Sequence, residues 1–246
     1  MNKMNNKNIP RLFINKELKF ENKIILNKND KHYLKNVLRL SQDKIVHVFN
    51  GVNGEWEALV NVNNSYSLIC KKQIRKQIRE EGPKLYFAII KNHNLRWMIE
   101  KVTELGVEKI TPIVTQRTNN KVFSEKKVLS HIKEASEVSE RLTLPTLEKK
   151  NTLSNILKQT KQNSDTLFFC NEGRKDDFLQ KSLTSLNRKK VSFLIGPEGG
   201  FTQEEEILIK SYSHVRSVKL FDRILRAETA AVLAMSIFNS YTEKKI

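Results

Sequence analysis

Two cysteines stand among 246 residues, Cys70 and Cys170, and they form no CxxC pair. A disulfide framework and a cysteine-based zinc site are therefore excluded, and the five scattered histidines suggest no other metal centre. Prolines number 5 and glycines 8, too few for a fibrous or low-complexity chain. The opening MNKMNNKNIPRLF lacks the apolar core of a secretory signal. The longest greasy stretch, near Ala230–Phe238, falls far short of the ~20 residues a membrane helix needs. These absences lead to the expectation of a cytoplasmic protein with no bound metal and no membrane partner.

Negative charge is also scarce. Lys and Arg total 44 against 27 Asp and Glu, a net charge of +17. The excess is not a tail, since residues 1–80 hold 16 basic and 7 acidic side chains. Such a field favours a polyanion, nucleic acid ahead of a membrane surface. A lysine-rich solvated surface is the plain alternative.

What is present falls into two rhythms. Through the first seventy residues, β-branched runs end in turn signals. Lys44–Phe49 stops at Asn50-Gly51, Asn53-Gly54 follows, and Trp56, Ala58, Val60 and Val62 alternate with polar residues. Asn63-Asn64-Ser65 then turns the chain into Tyr66–Cys70. A helix from about Asp30, with Leu34, Val37 and Leu38 at helical spacing, interrupts what reads as a small barrel over residues 1–72. The charged KKQIRKQIREEGP, Lys71–Pro83, marks a domain boundary with a linker at 73–83, and an exposed strand end fits the same residues.

From Lys84 strands and helices alternate. Leu85–Ile90, Ile110–Val114, Leu167–Cys170, Val191–Ile195 and Val215–Leu220 are short and apolar, as strands buried on both faces should be. Helical stripes run through Leu95–Leu105, stopped by Gly106, and through Val128–Ala135 behind Ser124 as N-cap. The last stripe uses Ala230, Leu233, Ala234, Ile237, Phe238 and Tyr241. This alternation predicts an α/β domain with a mainly parallel sheet over residues 84–246.

Two loops in that domain carry the chemistry. FLIGPEGGFTQEE ends a buried strand in Gly196, Pro197, Glu198, Gly199 and Gly200, and Thr202 with Glu205 then forms a T-x-x-E capping box. Gly199 and Gly200 can take positive φ and bare their amides to a phosphate, a carboxylate or a flat ring. A purely structural turn fits the residues as well. A dinucleotide site is a third reading, with Asp222 placed where a ribose-binding carboxylate would stand, although the spacing is not G-x-G-x-x-G. The second loop, LFDRILRAETAA, sets Arg223 and Arg226 before Glu228-Thr229 at a helix start. Arginine there suits a phosphate or carboxylate, which its planar fork binds in bidentate fashion.

Together, GPEGGFTQEE and RILRAETAA resemble the SPOUT class of S-adenosylmethionine-dependent RNA methyltransferases, and within it the bacterial 16S rRNA uracil-N3 methyltransferase family. IPRLF at Ile9–Phe13, HYLKNVLRL at His32–Leu40, IEKVTELGVEKITPIVTQR at Ile99–Arg117 and EASEVSERLTLP at Glu134–Pro145 extend the likeness over nearly the whole chain. Phe221 stands where the family usually has Gly, and Val138 where it has Gln before Ser139 and Arg141.

The resemblance implies a PUA-like RNA-binding β-barrel followed by a SPOUT domain with a trefoil knot. It implies methylation of uridine N3 in 16S rRNA of the small ribosomal subunit, by a homodimer. S-adenosylmethionine would be held by Asn171, Gly196, Pro197, Glu198, Gly199, Gly200, Leu220, Ile224, Leu225 and Thr229. Arg226 would stabilise the uracil anion or a flanking phosphate. Glu228 would orient that arginine or act as base, and Thr229 would cap the last helix. Arg11, Arg39, Arg141 and Arg223 would contact RNA. Cys170 would pack near the cofactor without acting as a nucleophile. A non-catalytic rRNA-binding assembly factor on the same scaffold is the rival reading.

Overall fold

The computed structural model describes residues 9–63, 65–118, 123–172, 176–183 and 190–243. Asn64 of the expected turn and the first eight residues, where a leader peptide was sought, lie outside them. The chain divides into two compact units, Met1–Glu80 with Ser136–Leu144, and Glu81–Ala135 with Pro145–Ile246.

The first unit holds a five-stranded sheet. Its strands are β1 (Arg11–Phe13), β2 (Lys23–Ile25), β3 (Ile45–Phe49), β4 (Glu55–Asn61) and β5 (Ser67–Arg75), in the order β1-β3-β4-β5-β2. All pairings are antiparallel except β1 with β3. Leu12, Ile24, Val46, Val48, Ala58, Val60 and Leu68 fill the concave core. β5 carries on through Lys71 to Arg75, so the first residues assigned to a linker are strand. Gly54 is compelled by space and backbone together: it has φ +74°, and a Cβ there would sit 2.2 Å from the Arg75 carbonyl oxygen.

Helix α1 (Lys28–His32), capped by the Asn27 side chain on Asp30 N, runs straight into a π-helical turn, Tyr33–Val37. The wider turn breaks the apolar stripe expected at Leu34, Val37 and Leu38. Leu34 is buried, whereas Tyr33, Val37 and Leu38 are exposed.

The second unit is built on a parallel sheet of β6 (Lys84–Ala88), β7 (Lys109–Val114), β8 (Thr146–Leu147), β10 (Thr166–Cys170), β11 (Val191–Ile195) and β12 (Val215–Val218). Its order is β12-β10-β11-β6-β7-β8, with β9 (Asn151–Thr152) also on β7. β11 is buried at every position, the mark of a central strand covered on both faces. Helices α2 (Asn92–Glu104), α3 (Glu125–Val138), α4 (Leu153–Gln162), α5 (Leu179–Ser182), α6 (Gln203–Lys210) and α7 (Ala227–Glu243) connect and cover the strands. Gly106, with φ +83°, ends α2 as expected. Among the described residues no helix is long and apolar enough to cross a membrane.

α7 packs on α2, α5 and β11. Its buried line is Ala227, Ala231, Ala234, Met235 and Phe238, which keeps Ala234 and Phe238 of the stripe expected. Ala230, Leu233 and Ile237 are only half-buried. The Phe238 ring meets Phe193 of β11 edge-on, with centroids 6.2 Å apart.

Candidate functional site

The strand order puts the ends of β12, β10 and β11 side by side, and parallel strands deliver their carboxyl-end loops to one edge. Ligands in open α/β sheets bind outside such ends. A cavity of about 430 Å³ lies there, within the range usual for small-molecule sites. Its walls are the loops Cys170–Glu172, Gly196–Phe201 and Leu220–Ala227, joined by Ile195, Arg117, Glu206 and Ala230.

The glycine turn is shaped by two different demands. Gly200 has φ +68°, which a side chain rarely tolerates, and Gly200 N bonds to Pro197 O at 2.9 Å. Gly196 is needed for space, because a Cβ there would lie 2.8 Å from Cε2 of Phe201. That ring is itself fixed edge-on against Phe169 of β10, with centroids 5.3 Å apart. Gly199, expected to take positive φ, does not, and a Cβ on it would make only ordinary contact with Arg117.

The capping box is formed as expected, with Glu205 N bonded to Thr202 Oγ1 and Thr202 N to a Glu205 oxygen. The buried Glu205 does more than cap. Its other oxygen accepts from Gln116 N at 2.9 Å, tying the end of β7 to the turn. Arg117 adds a second tie, its Nη1 donating to Gly199 O at 3.0 Å and Phe201 O at 3.3 Å. Sequence reasoning missed both residues. TQR at Thr115–Arg117 was visible, but nothing local says which carbonyls that arginine meets 82 and 84 positions away.

The expected site residues fall into two groups. Asn171, Gly196, Pro197, Glu198, Gly199, Gly200, Leu220, Ile224 and Leu225 all line the cavity, with Arg223 and Arg226. Glu198 does not point freely into it, because Oε1 accepts from Lys91 N at 3.1 Å at the start of α2. The Asn171 side chain donates to Asp176 at 3.0 Å. Asp222 is held by Lys219 Nζ at 3.1 Å. The Arg226 guanidinium is exposed and makes no hydrogen bond or ion pair to another described residue. Burial drives the pKa of the Cys170 thiol well up, so it offers no thiolate.

The structure does not bring Glu228 or Thr229 to the cavity wall. Glu228 is buried in the first turn of α7, and its Oε2 has no hydrogen-bond partner among the described residues. Thr229 is exposed and lies inside the helix, which begins at Ala227, so it is not the cap.

Two of the residues expected to contact RNA are engaged within the protein. Arg11 pairs with Glu55 and donates to Ser136 O at 3.1 Å, Glu137 O at 2.9 Å and Arg141 O at 2.9 Å, with its guanidinium over Phe49. Its donors are spent inside the first unit. Arg141 is buried beside Glu80, and desolvation lowers its pKa from the usual value. Arg39 is exposed, with φ 52°, and lines a second hollow with Lys31, Lys35 and Tyr66. Glu100, His131 and Glu134 bring ligand atoms within 4.8 Å of one another, a group not foreseen, but Arg96 Nε already pairs with Glu100 at 2.7 Å.

The chain is similar to known proteins along nearly its whole length. An RNA methyltransferase domain model matches residues 80–239 and an RNA methyltransferase PUA domain model matches 26–69. Ribosomal RNA small subunit methyltransferase E of Rickettsia conorii is 36% identical over 230 residues, 92% of this chain and 93% of that protein. The enzyme of the same name from Bacillus subtilis is 28% identical, covering 86% of this chain and 88% of its own. Among solved structures, a putative methyltransferase of Legionella pneumophila in complex with the bound cofactor SAM has a TM-score of 0.81 at 26% identity. It covers 94% of this chain and 97% of that one. The methyltransferase E structure from Neisseria gonorrhoeae, at 22% identity and TM-score 0.82, shares the fold. With one fold, one paired domain order and similarity along nearly the whole length, the chain belongs to the ribosomal RNA small subunit methyltransferase E family.

Proposed function

We propose that this protein transfers a methyl group from S-adenosylmethionine to N3 of a uridine in the 16S rRNA of the small ribosomal subunit. One observation carries the reading. The loops at three adjacent strand ends line a cavity that includes the glycine turn and Arg226, an arginine with no partner among the described residues.

The cavity suits the donor on its own chemistry. Where a Cβ would stand on Gly200 nothing lies within 4 Å, so peptide groups of the turn can approach a flat base and a ribose closely. Ile195, Leu220, Leu225 and Ala230 supply apolar wall, and Glu172, Glu198, Glu206 and Asp222 are among the lining residues, Glu198 bonded to Lys91 N and Asp222 and Glu206 paired with Lys219 and Lys210. Gly196–Gly200, Leu220, Ile224, Leu225 and Asn171 would hold the donor. When bound, S-adenosylmethionine supplies an electrophilic methyl group.

The chain's own task is to deliver an anionic nitrogen to that methyl. Neutral uracil N3 is a poor nucleophile and must lose its proton, leaving negative charge shared with the flanking carbonyl oxygens. Arg226, which lines the cavity, would stabilise that charge or an adjacent phosphate. Glu228 lies buried two residues on, off the cavity wall and with no bond to Arg226 among the described residues, so neither orienting that arginine nor acting as base is assigned to it. No protein nucleophile is required, in keeping with the protonated Cys170.

Arg117 holds the shape of the glycine turn. Arg117→Ala is expected to weaken S-adenosylmethionine binding about tenfold through two lost charged hydrogen bonds at an exposed position. Calorimetry and a melting curve check it, because a small shift in unfolding temperature should accompany a large shift in affinity.

A cytoplasmic homodimer completes the proposal, supported by the half-buried apolar stripe Ala230, Leu233 and Ile237 on α7. Calorimetry with S-adenosylmethionine and with NAD, followed by mass mapping of small-subunit rRNA from a strain lacking the protein, tests the whole reading. Absence of donor binding would sink it. Donor binding with unchanged rRNA would leave the assembly-factor reading in its place.

A further inference from the structure

The loop between β12 and α7 is pinned at both ends and stands out in the middle. Leu220 and Ala227 are buried, whereas Phe221 is 43% exposed and Ile224 69% exposed. The guanidinium carbon of Arg223 lies 4.7 Å from the centroid of the Phe221 ring. Ring and guanidinium both line the cavity, and Arg223 itself is exposed.

A single exposed apolar side chain needs no explanation. This one differs in its company and its place. A cation–π stack organises both planes, and organised planes at the edge of a cavity are what an unpaired nucleobase stacks on. The inner wall is made of backbone and aliphatic groups from Ile195, Gly196, Pro197, Leu220 and Leu225, which serve a ligand lying deeper. Phe221 stands farther out, where solvent reaches it, on a chain whose net charge of +17 draws in a polyanion.

We propose that Phe221 and Arg223 form a stacking platform that receives the unpaired target base of the RNA substrate at the mouth of the cavity. Arg223 does two things in this arrangement. It stiffens the ring by covering it, and it places a positive charge beside the phosphate that follows the base. The inference rests on reading the cavity as the methyl-transfer site, and it assigns substrate-binding residues there.

The test uses the full-length protein, a single-stranded oligoribonucleotide containing uridine, and S-adenosylmethionine. RNA affinity is measured by fluorescence anisotropy at fixed salt, and donor affinity by calorimetry. Phe221→Leu keeps an apolar side chain and removes the ring face. It should weaken RNA binding about tenfold, with donor affinity and unfolding temperature unchanged. Phe221→Tyr should restore RNA binding to the level of the original protein. Equal RNA affinity in the Leu and Phe forms would overturn the platform. So would a parallel loss of donor affinity, which would place the ring against the donor instead. Failure of the original protein to bind the donor would count against the proposed function alone, because the RNA comparison still decides the platform.

Discussion

Arg226→Ala should lower the rate of methyl transfer by about 10²–10³-fold while S-adenosylmethionine still binds. The expectation follows from where charge appears. In the proposed reaction, removing the N3 proton leaves an anion that water would solvate well and a protein cavity would not, unless a fixed cation is already there. Arg226 lines the cavity, and its guanidinium is tied to no other described residue, so its donors are available to the substrate. An interaction made only as charge develops should lower kcat and kcat/KM together. Arg226→Lys keeps the charge and loses the planar fork, so it should fall between the two. Single-turnover transfer to small ribosomal subunits, with donor affinity measured in parallel, checks the prediction. Undiminished transfer by the Ala form would remove Arg226 from the mechanism.

The second large effect concerns stability. Lys84, at the start of β6, places its Nζ 2.7 and 3.0 Å from the two carboxylate oxygens of Asp165, just ahead of β10. β11 lies between those strands, so the ion pair bridges three neighbours of the sheet. The Asp165 side chain is almost fully enclosed, at 2% exposure. Lys84→Met would leave that carboxylate buried and uncompensated, at a cost of about 3–5 kcal/mol. For a unit of this size the melting temperature should fall by roughly 10 °C. The double change with Asp165→Leu should recover most of the loss, because an apolar pair carries no desolvation penalty. Thermal unfolding followed by circular dichroism checks both, and a single variant as stable as the original would refute the argument.

Much of the fold could be read from the chain because its signals are local. Strand β11 is an apolar run ending at glycine, Gly106 ends α2, and Thr202 with Glu205 builds a capping box within four residues. Each depends on neighbours whose identity is fixed by position in the chain. The glycine turn was legible as a turn for the same reason, and its two demands were not. Gly196 is constrained by a ring five residues on that is held by Phe169 of another strand. The π-helical turn at Tyr33–Val37 also escaped, since one extra residue in a turn leaves the apolar spacing unchanged in sequence and moves two of its members into solvent.

Arginine shows where sequence stops. Arg11, Arg141 and Arg226 carry the same charge in basic surroundings, and nothing nearby in the chain separates them. Arg11 is consumed by a carboxylate 44 positions away and by carbonyls 125, 126 and 130 positions away, and Arg141 is buried beside Glu80. Arg226 faces the cavity without a described partner. The sequence by itself determined the main strands and helices, their order and the two loops that matter, because periodicity, caps and turns are short-range. Only the tertiary structure decided which cations are spent and which remain for a substrate, because pairing and desolvation depend on groups that folding alone brings together.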